Sequence, residues 1–188
     1  MTTKVPSARQ QELLEAAYRY ALEHGTGELS LRPLAAAIGS SPRVLLYLFG
    51  SKEGLIRALL ARARADQPTF DEGVPGLEAA GLEVWSWLAE PGHRGLLTFW
   101  VEAYSRSLID PGGPWADFAR ATVDDWLAIL ARAQNPQIRD GAEALAARTA
   151  VLAVLRGALL DLLATGDADR TTAAVRRTLR EPQARPAR

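Results

Sequence analysis

Apolar residues recur at intervals of three and four along almost the whole 188-residue chain, and no stretch keeps the two-residue alternation of a half-buried strand. In SARQQELLEAAYRYALEHG, residues 7–25, Leu13, Leu14, Ala17, Tyr18 and Ala21 form one stripe. Ser7 and Gln10 have capping-box spacing, and Gly25 supplies a stop. Ser30 caps a short second helix whose Pro33 is tolerable only in the first turn, and Gly39 ends it. Ser41 and Pro42 fit the N-cap and first helical position of a third helix that Gly50 stops. Ser51 caps a fourth, with Leu55, Ile56, Leu59, Leu60 and Ala63 as its buried stripe. The Pro-, Gly- and acid-rich DQPTFDEGVPG at 66–76 marks a joint. Beyond it, helices are predicted over 76–89, 93–108, 115–133, 139–165 and 168–180. The expectation is an all-α protein with domains at 1–66 and 67–181 and a tail at 182–188.

The third helix carries an unusual pattern. At about 100° per residue, Leu45, Leu48 and Phe49 share one side, while Pro42, Arg43, Leu46 and Tyr47 share the other, with Val44 at the border. The first group can pack on preceding helices through Leu34 and Ile38. The second turns a guanidinium and a phenol outward, on a rod short enough for a DNA major groove. Ala35, four residues before Gly39, is small enough for a close helix crossing, and Gly39 can take the positive φ that a tight corner needs. These spacings fit a helix-turn-helix and, equally, an ordinary helical hairpin in a bundle.

Charge adds a mild pointer. The chain carries no net charge, yet residues 1–65 hold nine Lys/Arg against five Glu, while the remainder holds 13 basic against 17 acidic residues. A basic head on an acidic body suits an anionic partner for the head. The absence of cysteine removes disulfides, thiolate zinc sites and cysteine nucleophiles, and fits a cytoplasmic location. MTTKVPSARQQ has no apolar core, so it is not expected to act as a secretory signal.

Residues 10–60 resemble the N-terminal domain of the tetracycline-repressor (TetR/AcrR) family of transcription regulators. ELLEAAYRYALEHG, SLRPLAAAIG and SSPRVLLYLFGSKEGLIRALL carry the likeness, with Leu45, Phe49, Ser51, Lys52, Glu53 and Leu55 at the family's positions. The resemblance implies an N-terminal helix-turn-helix DNA-binding domain and a C-terminal helical bundle for ligand binding and dimerisation. It implies that Lys52 binds a phosphate at the start of the fourth helix, and that Arg43 meets guanine or a phosphate. Tyr47 would meet a phosphate or a thymine methyl, with Pro42 and Val44 beside it, and Ser30 and Ser41 would lend cap hydroxyls to phosphates. The chain departs from the family pattern where Leu46 replaces a phosphate-touching tyrosine, Val44 a threonine, Leu48 an aromatic and Ser40 an apolar residue.

In the larger body the aromatic residues cluster. Trp85, Phe99, Trp100, Tyr104, Trp115, Phe118 and Trp126 are candidates for lining an effector pocket, which the family places in this region; a filled aromatic core is the alternative. AEALAARTAVLAVLRGALLDLLATG is apolar almost all round. Arg148, Arg156 and Asp161 argue against a membrane span, and a two-fold dimer would supply the missing cover. Ala146, Ala150, Ala153, Gly157 and Leu160 are the candidate interface residues. Arg156, apolar-flanked, is expected to pair with Asp161 or Glu102, or else to hold an acidic effector.

Chemistry of other kinds finds little support. Glu90 and His93 have a metal-binding spacing, but Pro91 and Gly92 between them place the pair on a turn. No P-loop or dinucleotide fingerprint occurs, so neither an enzyme nor a metal, cofactor or catalytic residue is expected. The expected partners are a double-stranded DNA operator, a small-molecule effector and a second copy of the chain, with no membrane. The rival is a helical protein-interaction regulator that has lost DNA binding, which the apolar Val44 and Leu46 keep open.

Overall fold

The computed structural model describes residues 7–24, 30–66 and 76–180. Among these, every regular element is helical: α1 Ala8–His24, α2 Leu31–Ala37, α3 Pro42–Phe49, α4 Lys52–Ala65, α5 Gly76–Leu88, α6 Arg94–Ile109, α7 Phe118–Ala131, α8 Ala142–Thr165 and α9 Ala168–Arg180. A single 3-10 turn, Pro91–His93, precedes α6. The stop expected at Gly25, most of the joint at 66–76 and the tail at 182–188 lie outside the described residues.

The chain divides into two compact units, one made of Met1–Gln67 with Gly95–Thr122, the other of Pro68–Arg94 with Val123–Arg188. In the first, α1 packs on α2 and α4, and α3 on α2 and α4. Leu13, Ala17, Tyr18 and Ala21 of α1 are buried, as are Leu34 and Ala35 of α2 and Leu45 of α3. The predicted α4 stripe is buried in full. α6 passes so near α1 that a Cβ on Gly95 would lie 3.0 Å from the Leu22 carbonyl oxygen. The Tyr18 and Phe99 rings lie perpendicular with centroids 6.2 Å apart, a favoured aromatic geometry.

The start of α7 departs from the expected one. A helix from 115 is predicted; the chain instead turns through Trp115–Asp117, with Asp117 at φ 62°, and enters α7 at Phe118. Ser107 explains the shift: its buried hydroxyl accepts from the Ala119 backbone N–H at 3.1 Å, satisfying one of the free donors at the helix start. Trp115 is nonetheless buried, its ring under the Arg106 guanidinium at 5.5 Å.

In the second unit α5, α8 and α9 pack mutually. Gly81 makes the crossing possible: a Cβ there would lie 2.8 Å from Leu179 and 3.0 Å from Val151. The buried Trp85 donates its indole N–H to Thr172 at 2.9 Å, joining α5 to α9. α8 buries Val151, Leu152, Leu155, Leu159 and Leu162 on one side only.

Candidate nucleic-acid interface

Two glycines and two serines build the α2–α3–α4 corner. Gly39, at φ 65°, closes α2: its N–H donates to Ala36 and that of Ser40 to Ala35, the paired bonds of a Schellman stop. Ser41 caps α3, its hydroxyl accepting from Val44 N–H at 3.3 Å, with Pro42 as first helical residue. Gly50, at φ 79°, ends α3, and Ser51 caps α4 by accepting from Gly54 N–H at 3.0 Å. Ser30 stands at the N-cap of α2 without a side-chain cap bond. The whole corner thus fixes an eight-residue rod, α3, in both position and rotation.

That rotation settles which side chains leave the surface. Leu45 is buried, Leu48 and Phe49 are half-buried, and Tyr47 is 86% exposed. Leu46 is 41% exposed and Val44 38%, while Arg43 is exposed and Pro42 half-buried. Lys52, at the start of α4, is exposed, and no ion pair among the described residues engages Arg43 or Lys52. Arg43, Tyr47 and Lys52 therefore present two cations and a phenol to solvent near the start of α4. Glu53, also exposed, has its carboxyl held below its ordinary value by its own backbone N–H, then by the Ser51 hydroxyl.

One residue that holds this surface was not legible as such. The Gln10 side-chain amide donates to the Leu48 carbonyl at 3.0 Å, bridging α1 to the last turn of α3. At the other end of α4 the Arg62 guanidinium bonds Glu15 of α1 at 2.6 Å, also binds Asp66, and lies over the Tyr18 ring at 5.0 Å. Those two acceptors hold the Arg62 charge on; burial, then the Asp66 carboxylate, push the Tyr18 phenol above its ordinary value.

The proposed effector residues are dispersed over both units. In the first, Phe99, Trp100, Trp115 and Phe118 are buried and Tyr104 is half-buried. In the second, Trp85 and Trp126 are buried and Arg156 half-buried. Trp87, another aromatic of the same stretch of sequence, packs on His93 with ring centroids 4.3 Å apart and lies 6.4 Å from Trp126. Asp161 does not serve Arg156. It is held by Arg170, with bonds of 2.6 and 2.8 Å, which keeps its carboxyl below the ordinary value. The physical reason is helical: five residues separate them, so the two side chains diverge by about 140° round α8.

On α8, Ala146, Ala153 and Gly157 are exposed, Leu160 is 53% exposed, and Ala150 is half-buried. A Cβ on Gly157 would meet open space. These five residues recur at intervals of three and four and so line one face, opposite the leucines that pack in the unit. No described helix is long and apolar enough to cross a membrane, and no group of three or more His, Asp or Glu converges among the described residues.

Comparison with known proteins agrees with this geometry. Residues 13–59, spanning α1 to most of α4, match the family model "Bacterial regulatory proteins, tetR family". The chain is 32% identical over 167 residues to the HTH-type transcriptional repressor AcnR of Corynebacterium diphtheriae, covering 87% of this chain and 85% of that one. Among solved structures it is similar to a TetR-family transcriptional regulator from Rhodococcus sp., with a TM-score of 0.67, 19% identity and coverage of 92% and 97%. It is also similar to the multidrug binding protein EbrR complexed with imidazole, with a TM-score of 0.62, 23% identity and coverage of 94% and 92%.

Proposed function

The chain belongs to the tetR family of bacterial regulatory proteins, whose members are DNA-binding transcriptional regulators and not enzymes, and from that premise we propose a dimeric repressor released by a small molecule. One observation carries the proposal: α3 buries Leu45 and sends Arg43 and Tyr47 into solvent. Each subunit lays residues 42–49 in a major groove, and Arg43 and Tyr47 reach base edges or phosphates. Lys52 meets a phosphate at the start of α4, where the helix dipole favours an anion. Ser41, Ser30, Pro42 and Val44 line the same approach.

Repression is the sign named for the AcnR relative. Dimerisation is supported by the exposed small-residue face of α8, where Ala146, Ala150, Ala153, Gly157 and Leu160 permit close approach of a second copy. A two-fold pair reads a palindrome with half-sites about one helical turn, ~34 Å, apart. Effector response is supported by the imidazole held by EbrR; Trp85, Phe99, Trp100, Tyr104, Trp115, Phe118, Trp126 and Arg156 stay the candidates that the family resemblance implies, five of them in one unit and three in the other. Effector binding biases the population of head spacings that fit the operator.

Selection of bound fragments from a random duplex library tests the proposal. The expected result is a palindromic enriched site whose affinity falls steeply and linearly on a log–log salt plot. Recovery of no enriched sequence removes DNA binding as this chain's role and favours a protein partner.

A further inference from the structure

Two of the four α3 side chains that leave the surface carry no hydrogen-bonding atom. Val44 is 38% exposed and Leu46 41%, on a helix whose opposite side is committed to the core through Leu45. Helical spacing sets Arg43 and Tyr47 at the middle of the outward arc, with Leu46 about 80° to one side and Val44 about 80° to the other. The outward face is therefore polar along its centre and apolar along both flanks.

A major groove offers such flanks one match. Every base-pair edge presents donors or acceptors there, and only thymine adds an apolar group, its C5-methyl. An aliphatic side chain pressed on any other edge desolvates donors or acceptors without replacing their hydrogen bonds, which is costly. Leu46 has no donor for a phosphate either, so when α3 lies in the groove its gain comes from apolar contact alone.

We propose that Val44 and Leu46 read thymine methyl groups on either side of the base met by Arg43, so that half-site specificity is in large part hydrophobic. This rests on the DNA-binding role proposed above. Each side chain selects thymine by burying its methyl. Arg43 supplies the hydrogen-bonded readout between them, with its preference for guanine O6 and N7.

Deoxyuridine scanning tests this, because it deletes the methyl and keeps every Watson–Crick atom. The probe is the duplex recovered from the random library, with each thymine replaced singly. It is titrated with the wild-type chain, Val44→Ala and Leu46→Ala, and both variants are first checked for unchanged melting. Replacement at two positions per half-site is expected to weaken wild-type binding about fourfold each, the worth of one buried methyl. Val44→Ala is expected to be indifferent at one of them and Leu46→Ala at the other. Wild-type affinity that is unchanged at every substituted thymine overturns the inference and leaves DNA binding intact. Losses that persist undiminished in both variants overturn the assignment of the methyls to these residues. If no duplex is recovered, DNA binding and this inference fail together.

Discussion

The amide of Gln10 donates to the carbonyl of Leu48 at 3.0 Å, across 38 positions of sequence. The Leu48 carbonyl is one of the last four of α3, which have no acceptor role inside their own helix. α1 thus satisfies a carbonyl in the last turn of α3 and adds a tertiary tie to the rotation that exposes Arg43 and Tyr47. Gln10→Ala is expected to lower unfolding stability by about 1 kcal/mol, the net worth of a part-buried hydrogen bond. Gln10→Glu, which sets a carboxylate against a carbonyl, is expected to cost more. Denaturant unfolding that ranks both variants with wild type contradicts the link.

Tyr18 makes stability depend on alkaline pH. Its phenol is shifted upward from an ordinary value of 10.0 because burial and the Asp66 carboxylate oppose its ionisation. A raised folded-state value means that the native chain holds the phenolic proton after the unfolded chain has lost it. The resulting contribution is complete below about pH 10 and is lost as pH rises beyond it. Stability of wild type is expected to fall more steeply than that of Tyr18→Phe between pH 9 and pH 11. Parallel curves contradict the shift.

The face of α8 that carries Gly157 predicts a separable effect on assembly. Open space surrounds Gly157 in the subunit, so Gly157→Arg does not clash within it. The same side chain would fill a close helix crossing between copies. Sedimentation at micromolar concentration is expected to show a wild-type dimer and a Gly157→Arg monomer of unchanged helicity. A persistent dimer places the interface elsewhere.

Local signals made the helices legible and tertiary ones set their limits. Ser41, Pro42, Gly39 and Gly50 act on backbone groups within a turn of themselves, so their roles at α2 and α3 follow from sequence alone. The Ser7–Gln10 spacing was only half informative. Gln10 N–H does donate to the Ser7 hydroxyl at 3.2 Å, but the glutamine side chain leaves the box for Leu48, a partner no local window contains. The start of α7 failed for the same reason, since its capping hydroxyl comes from Ser107, twelve residues away. α8 begins at Ala142 instead of 139, because the chain before it is held in turns by Asn135 and by Arg148, which donates to the Arg139 carbonyl at 2.6 Å. The outward set on α3 was legible because a two-turn helix with one buried leucine leaves little freedom of rotation. Of the two acceptors expected for Arg156, Asp161 was ruled out only by the structure, because five residues on one helix diverge however complementary their charges, and Asp161 pairs with Arg170.

The central claim is that the outward side of α3 reads DNA. Arg43→Ala in operator titrations, with melting measured on the same sample, tests it most directly. Affinity is expected to fall about 10- to 100-fold, the worth of one bidentate base contact, while stability stays within about 0.5 kcal/mol of wild type. Unchanged affinity, or a loss explained by a collapse in melting temperature, would contradict it.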